Sequence, residues 1–411
     1  MLPSPGDSPV TDVIALTRQL VQTPSPVLDG DELAVAAVLQ GALAEAGLPR
    51  AEVIALDPSR PNLLVTIDFG PGGSHLVLSG HIDTKPVGEA HWTVDPFAAD
   101  VDGDRLYGLG SADMKGAVAA MVVAAGQVVA AGTVTAGRLT LLFTADEENG
   151  AVFGAKHLSE VLDLGADALV IGEPGGIHSD YDSLHLVSRG LGRFRITAHG
   201  IQGHSSLSAM LGRPNAGADL ADALSALRRT ASPAIPADAD GLRDWAATVN
   251  PAMTFSGGWG YGVLPQSVSS TIEVRTLPGM TDVELLADLR AAIAPWLAES
   301  GAHVEIDFDN APNHWIEGTQ VAASDPLVVS LARATETAFG AALPLSVFPG
   351  TTDTSWFARD GLPCLPALGP GLLVRAHGAD EWVSVDAVRR SVDLYRNLIE
   401  DFCPSPREDR A

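Results

Sequence analysis

The sequence of 411 residues is poor in cysteine, in positive charge and in long apolar runs. Only Cys364 and Cys403 occur, with no CxxC pair, so no disulfide framework is expected. Lysine and arginine number 25 against 51 aspartates and glutamates, a formal net charge of -26. Phosphate backbones and anionic lipid surfaces would be repelled, so neither nucleic acid nor a membrane is expected as partner. The acidity reads as a device for solubility. The longest apolar stretch, Met121 to Ala131, contains Gly126 and Gln127 and is too short to span a bilayer. The opening MLPSPGDSPVTD has no basic segment followed by an apolar one, so no secretory signal is read and a cytoplasmic location is expected. Repeats of solenoid period, a GxSxG elbow, an HExxH helix and a Walker-type loop are all missing.

What is present suits a large packed core: 46% hydrophobic and 18% charged residues, on a chain long enough for two or three domains. Residues 11 to 47 predict two helices, with Val13, Leu16 and Leu20 on one face and Val35, Leu39 and Leu43 on another. Short apolar runs then alternate with helical stretches. Leu63 to Ile67, Leu76 to Leu78, Leu139 to Thr144 and Ala168 to Ile171 read as strands, Met114 to Ala131 and Val152 to Leu162 as helices. This pattern predicts an α/β fold, a mainly parallel sheet with helices on both faces. Near Ser188 the pattern changes to one-face alternation, as in Phe194, Ile196 and Ala198, and the order becomes βαββαβ. That predicts a small α+β, ferredoxin-like unit at 189–310, inserted into a discontinuous larger domain formed by 1–188 and 311–411.

In open α/β sheets, sites gather at the carboxyl ends of strands. His81 and Asp83 follow Leu76 to Leu78, Glu147 and Glu148 follow Leu139 to Thr144, and Glu173 follows Ala168 to Ile171. Asp113 sits in a glycine-bounded loop entering a helix, and His377 lies far downstream in RAHGADE. Taken singly, each has a plainer reading: a structural histidine, a helix cap at Asp113, a solvated acidic turn, a loop dipeptide. Together, apolar strands ending on such groups point to a metal site. Histidine and carboxylate donors without cysteine suit Zn²⁺, Co²⁺ or Mn²⁺. Asp83, two residues after His81, shares its face and can orient its ring. A shared carboxylate can hold two metals, and a glutamate not used as ligand can serve as general base.

The segments GHIDTKPVGEAHWTVDPF, DGDRLYGLGSADMKG, ADEENGAVFGAKHL and GEPGG resemble, in order and spacing, the co-catalytic zinc metallopeptidase family. That family includes aminoacylase, acetylornithine deacetylase, succinyl-diaminopimelate desuccinylase and carboxypeptidase G. The likeness extends to GIQGHSS, EVRTLPG, GTTD and AHGADEWVSV, and so covers nearly the whole chain. It implies two divalent metals, zinc first and cobalt or manganese next. Asp113 would bridge them, His81 and Glu173 completing one site, Glu148 and His377 the other. It further implies Glu147 as general base, Asp83 as the carboxylate behind His81, and an inserted lid that forms a homodimer. His204 would then reach the partner's site to polarise the substrate carbonyl. Arg275 would grip a substrate carboxylate, helped by backbone N–H groups of Gly350, Thr351 and Thr352.

Three positions depart from the family pattern. Gly262 stands where many relatives have Asn, Ser355 where several deacylases have Arg, and Lys85 where an apolar residue flanks the metal motif. The expected activity is removal of the acyl group from an N-acyl amino acid. A carboxypeptidase or dipeptidase using the same residues is the alternative, and a catalytically silent binding homologue a further one. Glutamate rather than aspartate at 173 favours the deacylase, and retention of Glu147 argues against silence.

Overall fold

The computed structural model describes residues 12–27, 32–212, 214–234, 245–310 and 313–405. Cα packing divides the chain into two units: Met1–Val187, Gln320–Phe348 and Thr352–Ala411 form the first, Ser188–Thr319 and Pro349–Thr351 the second. In chain order the main elements of the first stretch are α1 (Val13–Val21), α2 (Leu33–Glu45), β1 (Glu52–Ile54), β2 (Asn62–Gly70), β3 (His75–His81), α3 (Gly116–Ala131), β4 (Gly137–Thr144), α4 (Ala155–Val161) and β5 (Ala168–Ile171). The second unit contributes β6 (Gly190–His199), α5 (Ala216–Thr230), β7 (Thr248–Gly257), β8 (Ser267–Thr276), α6 (Asp282–Ser300) and β9 (His303–Phe308). The chain then returns with α7 (Pro326–Phe339), β10 (Cys364–Leu365) and α8 (Val385–Phe402).

The sheet of the first unit has the order β1-β2-β4-β3-β5-β10. Pairing is parallel among β4, β3, β5 and β10, and antiparallel where β1 and β2 extend the β4 edge. Every residue of β3 is buried, so both faces of the sheet's centre are covered, as its unbroken apolar run requires. On one side α3 packs against β3, α1 and α8. The stripe Val388, Val392, Tyr395 and Ile399 of α8 is buried there, and Tyr395 donates to the Leu368 carbonyl at 3.0 Å. Ser384 caps this helix by accepting from the Ala387 N–H.

The segment Ser111–Ala131 as a whole is long and apolar enough to cross a bilayer, which the run from Met121 alone did not suggest. Its side chains instead fill the core: Val118, Met121, Val122 and Ala125 have almost no exposure. The helix also begins later than the sequence predicts. Ser111–Lys115 forms a wide turn in which Asp113 and Met114 have non-helical backbone angles and the peptide bond between them is cis. Asp113 therefore does not cap α3, whose first residue is Gly116.

In the second unit the sheet order is β7-β8-β6-β9, antiparallel throughout. Phe194, Ile196 and Ala198 of β6 are buried with Leu220, Leu227, Leu285 and Leu289 of α5 and α6, so both helices lie on one face. Thr281 begins α6 by accepting from the Glu284 N–H, a capping arrangement with Glu284 at the third position. Residues 313–319, placed by the sequence in the larger domain, group with this unit because Trp315–Ile316 pairs with Gly192 and Leu191 of β6. The boundary residues 311 and 312 and the GDSP segment lie outside the described residues.

Candidate active site

The carboxyl ends of three neighbouring strands deliver the cluster. His81 is the last residue of β3 and pairs in register with Thr144, the last of β4. Glu147 and Glu148 form the tight turn just beyond Thr144, and Glu173 lies two residues past Ile171 at the end of β5. Glycine makes room twice. A Cβ on Gly80 would come 2.5 Å from Met114 Cε, and one on Gly172 2.8 Å from the same atom. Those contacts let the Ser111–Lys115 turn sit close against both strands.

The turn brings Asp113 between two histidines. Asp113 Oδ1 is 2.9 Å from His81 Nε2, and Oδ2 is 3.3 Å from His377 Nε2. Each histidine meets a glutamate as well: His81 Nε2 lies 3.5 Å from Glu173, and His377 Nε2 3.0 Å from Glu148. Asp113 thus addresses one imidazole with each oxygen. His81, Glu147 and Glu173 each offer a ligand atom within 4.8 Å of the others, and so do His81, Asp113 and Glu148. Proximity alone places Glu147 among the possible ligands.

His81 Nδ1 is 3.0 Å from the backbone carbonyl of Asp83, closer than the 3.6 Å to its carboxylate. A carbonyl only accepts, so Nδ1 donates to it and Nε2 is the ring atom left facing the cluster. Asp83 orients His81 through its main chain. Its carboxylate does something else: it accepts from the N–H groups of Glu147 at 3.2 Å and Glu148 at 3.0 Å, fixing the turn that carries both.

The electrostatics identify what the cluster needs. Burial pushes Asp83 up to about 7. Burial and then the Asp113 charge push Glu173 up to about 8, and burial followed by Glu173 raises Glu147 well above the usual carboxylate range. Burial would lower His81, yet its bonds to Asp113 and Glu173 hold it well above an ordinary histidine. His377, also opposed by burial, is carried up to about 10 by Asp113 and Glu148. Asp113 is lowered, burial being outweighed by bonds from His377 and His81. Buried negative charge is costly unless compensated. Imidazole and carboxylate donors in this arrangement fit borderline divalent cations, which would supply that compensation.

A profile of peptidase family M20/M25/M40 matches residues 77–401. The chain belongs to this family. A succinyl-diaminopimelate desuccinylase of Parvibaculum lavamentivorans is 28% identical over 409 residues, 97% of this chain and 98% of that one. An acetylornithine deacetylase of Edwardsiella ictaluri is 30% identical over 406 residues, 95% of this chain and 97% of that one. Among solved structures, an M20 metallo-carboxypeptidase of Sulfolobus solfataricus superposes with TM-score 0.76 at 16% identity, covering 95% of this chain and 99% of that one. A dinuclear metal-binding peptidase of the family from Bacillus subtilis gives 0.65 at 16%, covering 94% and 96%.

Other groups shape the M20 site without having been singled out in the sequence. Glu381 Oε1 accepts from the N–H groups of Ala112 and Asp113, holding the turn, and burial followed by the Asp113 charge lifts its pKa to about 8. Lys115, buried and lowered to about 7, donates to the Leu20 and Thr23 carbonyls. Asp146 adopts the left-handed conformation at φ 62, accepts from the Phe153 N–H and pairs with Arg60 at 3.0 Å. An aspartate directly before the paired glutamates was the available signal, since Asp tolerates that backbone better than most residues. Lys85, noted in the sequence as a departure from the family pattern, has its Nζ 3.0 Å from Glu148 Oε2 and also bonds the Glu148 carbonyl.

The remaining expected residues fall in the two units separately. Thr352 is buried in the first unit, bonded to the Thr354 hydroxyl at 2.9 Å, and Ser355 is buried beside it. In the second unit, Arg275 donates to Glu273 at 3.1 Å and to the Thr351 hydroxyl at 3.1 Å, and the Gly350 carbonyl accepts from the Arg189 N–H. His204 is exposed, its Nδ1 accepting from the Ser206 N–H at 3.3 Å. The Gly262 carbonyl accepts from the Ser205 N–H, and Gly262 has φ +85, a conformation that suits glycine or asparagine.

Proposed function

We propose that this M20 protein is a metal-dependent amidohydrolase that removes the acyl group from an N-acyl amino acid. The observation that carries it is Asp113, one carboxylate oxygen toward His81, which also meets Glu173, and the other toward His377, which also meets Glu148. In this reading those five residues hold two divalent ions, zinc by preference with cobalt or manganese as alternatives. Bound there, the ions would polarise the scissile carbonyl and acidify water. The relatives named as desuccinylase and deacetylase, similar over almost the full chain, support deacylation rather than peptide cleavage.

Glu147 is the general base of this proposal. It is partly buried on a turn pinned by Asp83, and its raised affinity for protons suits a group that takes one from water and returns it to the leaving amine. Arg275 and the loop Gly350–Thr352 bind the carboxylate of the substrate; Ser355 lacks the charge to grip a second one in the acyl chain. His204 polarises the substrate carbonyl. Because its Nδ1 accepts from Ser206, the neutral ring carries its proton on Nε2, the atom able to donate to a developing oxyanion.

The second unit serves as lid and homodimer contact in the same proposal. Its β7 is an edge strand, and the exposed Met253 and Phe255 on it, with Trp259 and Tyr261 beyond, form an apolar rim that a second copy would cover. The protein acts in the cytoplasm. A screen of acetyl-, formyl-, succinyl- and long-chain-acyl amino acids against dipeptides, with Zn²⁺, Co²⁺ or Mn²⁺ added, tests the activity. Turnover of at least one acyl amino acid faster than every dipeptide is expected. A preference for dipeptides would turn the assignment to peptidase, and full activity after exhaustive chelation would overturn the metal mechanism.

A further inference from the structure

The second unit carries a cluster of metal-ligand type that the proposed chemistry does not use. On the face of its sheet turned away from α5 and α6, His199 of β6 stands directly opposite His303 of β9 in the antiparallel register. Their rings lie 4.6 Å apart, centroid to centroid. Glu305, two residues along β9 from His303, is on the same face. Its two oxygens divide between the rings: Oε1 is 3.0 Å from His303 Nε2 and Oε2 is 3.8 Å from His199 Nε2. All three offer ligand atoms within 4.8 Å of one another.

We propose that His199, His303 and Glu305 form a surface site for a divalent cation of the zinc, copper or nickel class, separate from the cluster in the first unit. Two imidazoles and one carboxylate are the donors such ions take, and three protein ligands leave a position for water. The site is built by the ladder. Cross-strand neighbours are held about 5 Å apart by backbone pairing, so the two histidines need little rearrangement to share an ion. Both Nε2 atoms aim at one carboxylate, the convergence that an ion replacing the shared proton would require. The next residue on this face of β9, Asp307, is bonded to Arg290, which leaves Glu305 as the carboxylate that meets both rings. The site stands apart from Arg275, whose register partner on β6 is Leu191. His199 is eight residues further along the strand, roughly 26 Å at about 3.3 Å per residue.

The test is equilibrium dialysis of the untagged full-length protein against a series of free zinc concentrations, with elemental analysis of parent and H199A/H303A. All three side chains are solvent-accessible, so the variants should fold, and unchanged hydrolytic activity would show it. The parent should bind one more zinc per chain than the double variant, whatever the other cluster holds, and E305Q should weaken that equivalent without removing it. With Cu²⁺ in place of zinc, electron paramagnetic resonance of the parent should contain a component coupled to two imidazole nitrogens that the H199A/H303A spectrum lacks. Equal zinc content in parent and double variant across the series, or copper spectra identical between the two, would overturn the site and leave only a hydrogen-bonded trio.

Discussion

The two units treat charge in opposite ways. On the open sheet face of the second, three carboxylates pair with arginines in contact with water: Arg195 with Asp309, Arg290 with Asp307, Arg275 with Glu273. In the first, Asp83, Asp113, Glu148 and Glu173 are buried within a few residues of strand ends, and the proton affinities of Asp83, Asp113 and Glu173 are displaced accordingly. Exposed pairs are screened and contribute little, whereas buried charge must be compensated or it destabilises the fold. Carboxylates gathered at the ends of buried strands, with imidazoles among them, are the arrangement a cation would compensate.

The comparison breaks most completely at Asp113. Asp113→Ala should abolish both metal binding and hydrolysis, read by elemental analysis and turnover on the best substrate from the screen; retained metal would dissolve the bridging role. Glu147→Gln should be milder and of a different kind. Its kcat should fall by roughly 10²–10⁴, the usual contribution of a general base, while bound metal stays near the parent level. Loss of metal along with rate would instead make Glu147 a ligand, as proximity alone allows.

Stability sharpens the same contrast. Arg60 is buried between Glu32, whose oxygens it meets through Nε at 3.0 Å, and Asp146 at 3.0 Å. Removing the arginine strands two buried carboxylates, so Arg60→Met should cost about 3–5 kcal/mol in urea unfolding. Asp309→Ala, which breaks the partly exposed pair with Arg195, should cost only about 0.2–1 kcal/mol. Similar losses at both places would mean that burial is not what distinguishes the units.

The last expected effect concerns pH and is confined to alkaline solution. Cys403 is buried on the terminal turn, and burial raises its thiol to about 12 from an ordinary value of 9.0. Below the ordinary value both folded and unfolded chains keep the proton, so this group contributes no slope. Between there and about 12 the unfolded chain ionises first, so stability falls as pH rises through that window. Cys403→Ala should flatten the decline in urea midpoint across it; an unchanged slope would remove Cys403 as the cause.

The sequence by itself determined which residues could do chemistry and roughly where the fold changes character. Apolar runs closed by His81, Glu147, Glu148 and Glu173 were legible because a buried parallel strand needs continuous hydrophobicity and ends at the sheet's working edge. The alternation Phe194, Ile196, Ala198 marked a one-faced sheet for the same kind of reason. Tertiary structure decided what periodicity does not encode. It made Asp113 part of a wide turn rather than a helix cap, split Asp83 into a carbonyl for His81 and a carboxylate for the glutamate turn, and set Glu381 behind Ala112 and Asp113 from 268 residues away in the chain. It tied Lys85 to Glu148 and faced His199 with His303 across a ladder. Local pattern fixes which face of an element is buried, because that depends on neighbours three, four or two residues away. Which side chain meets which depends on groups brought together by the packing of distant segments, and no spacing along the chain records it.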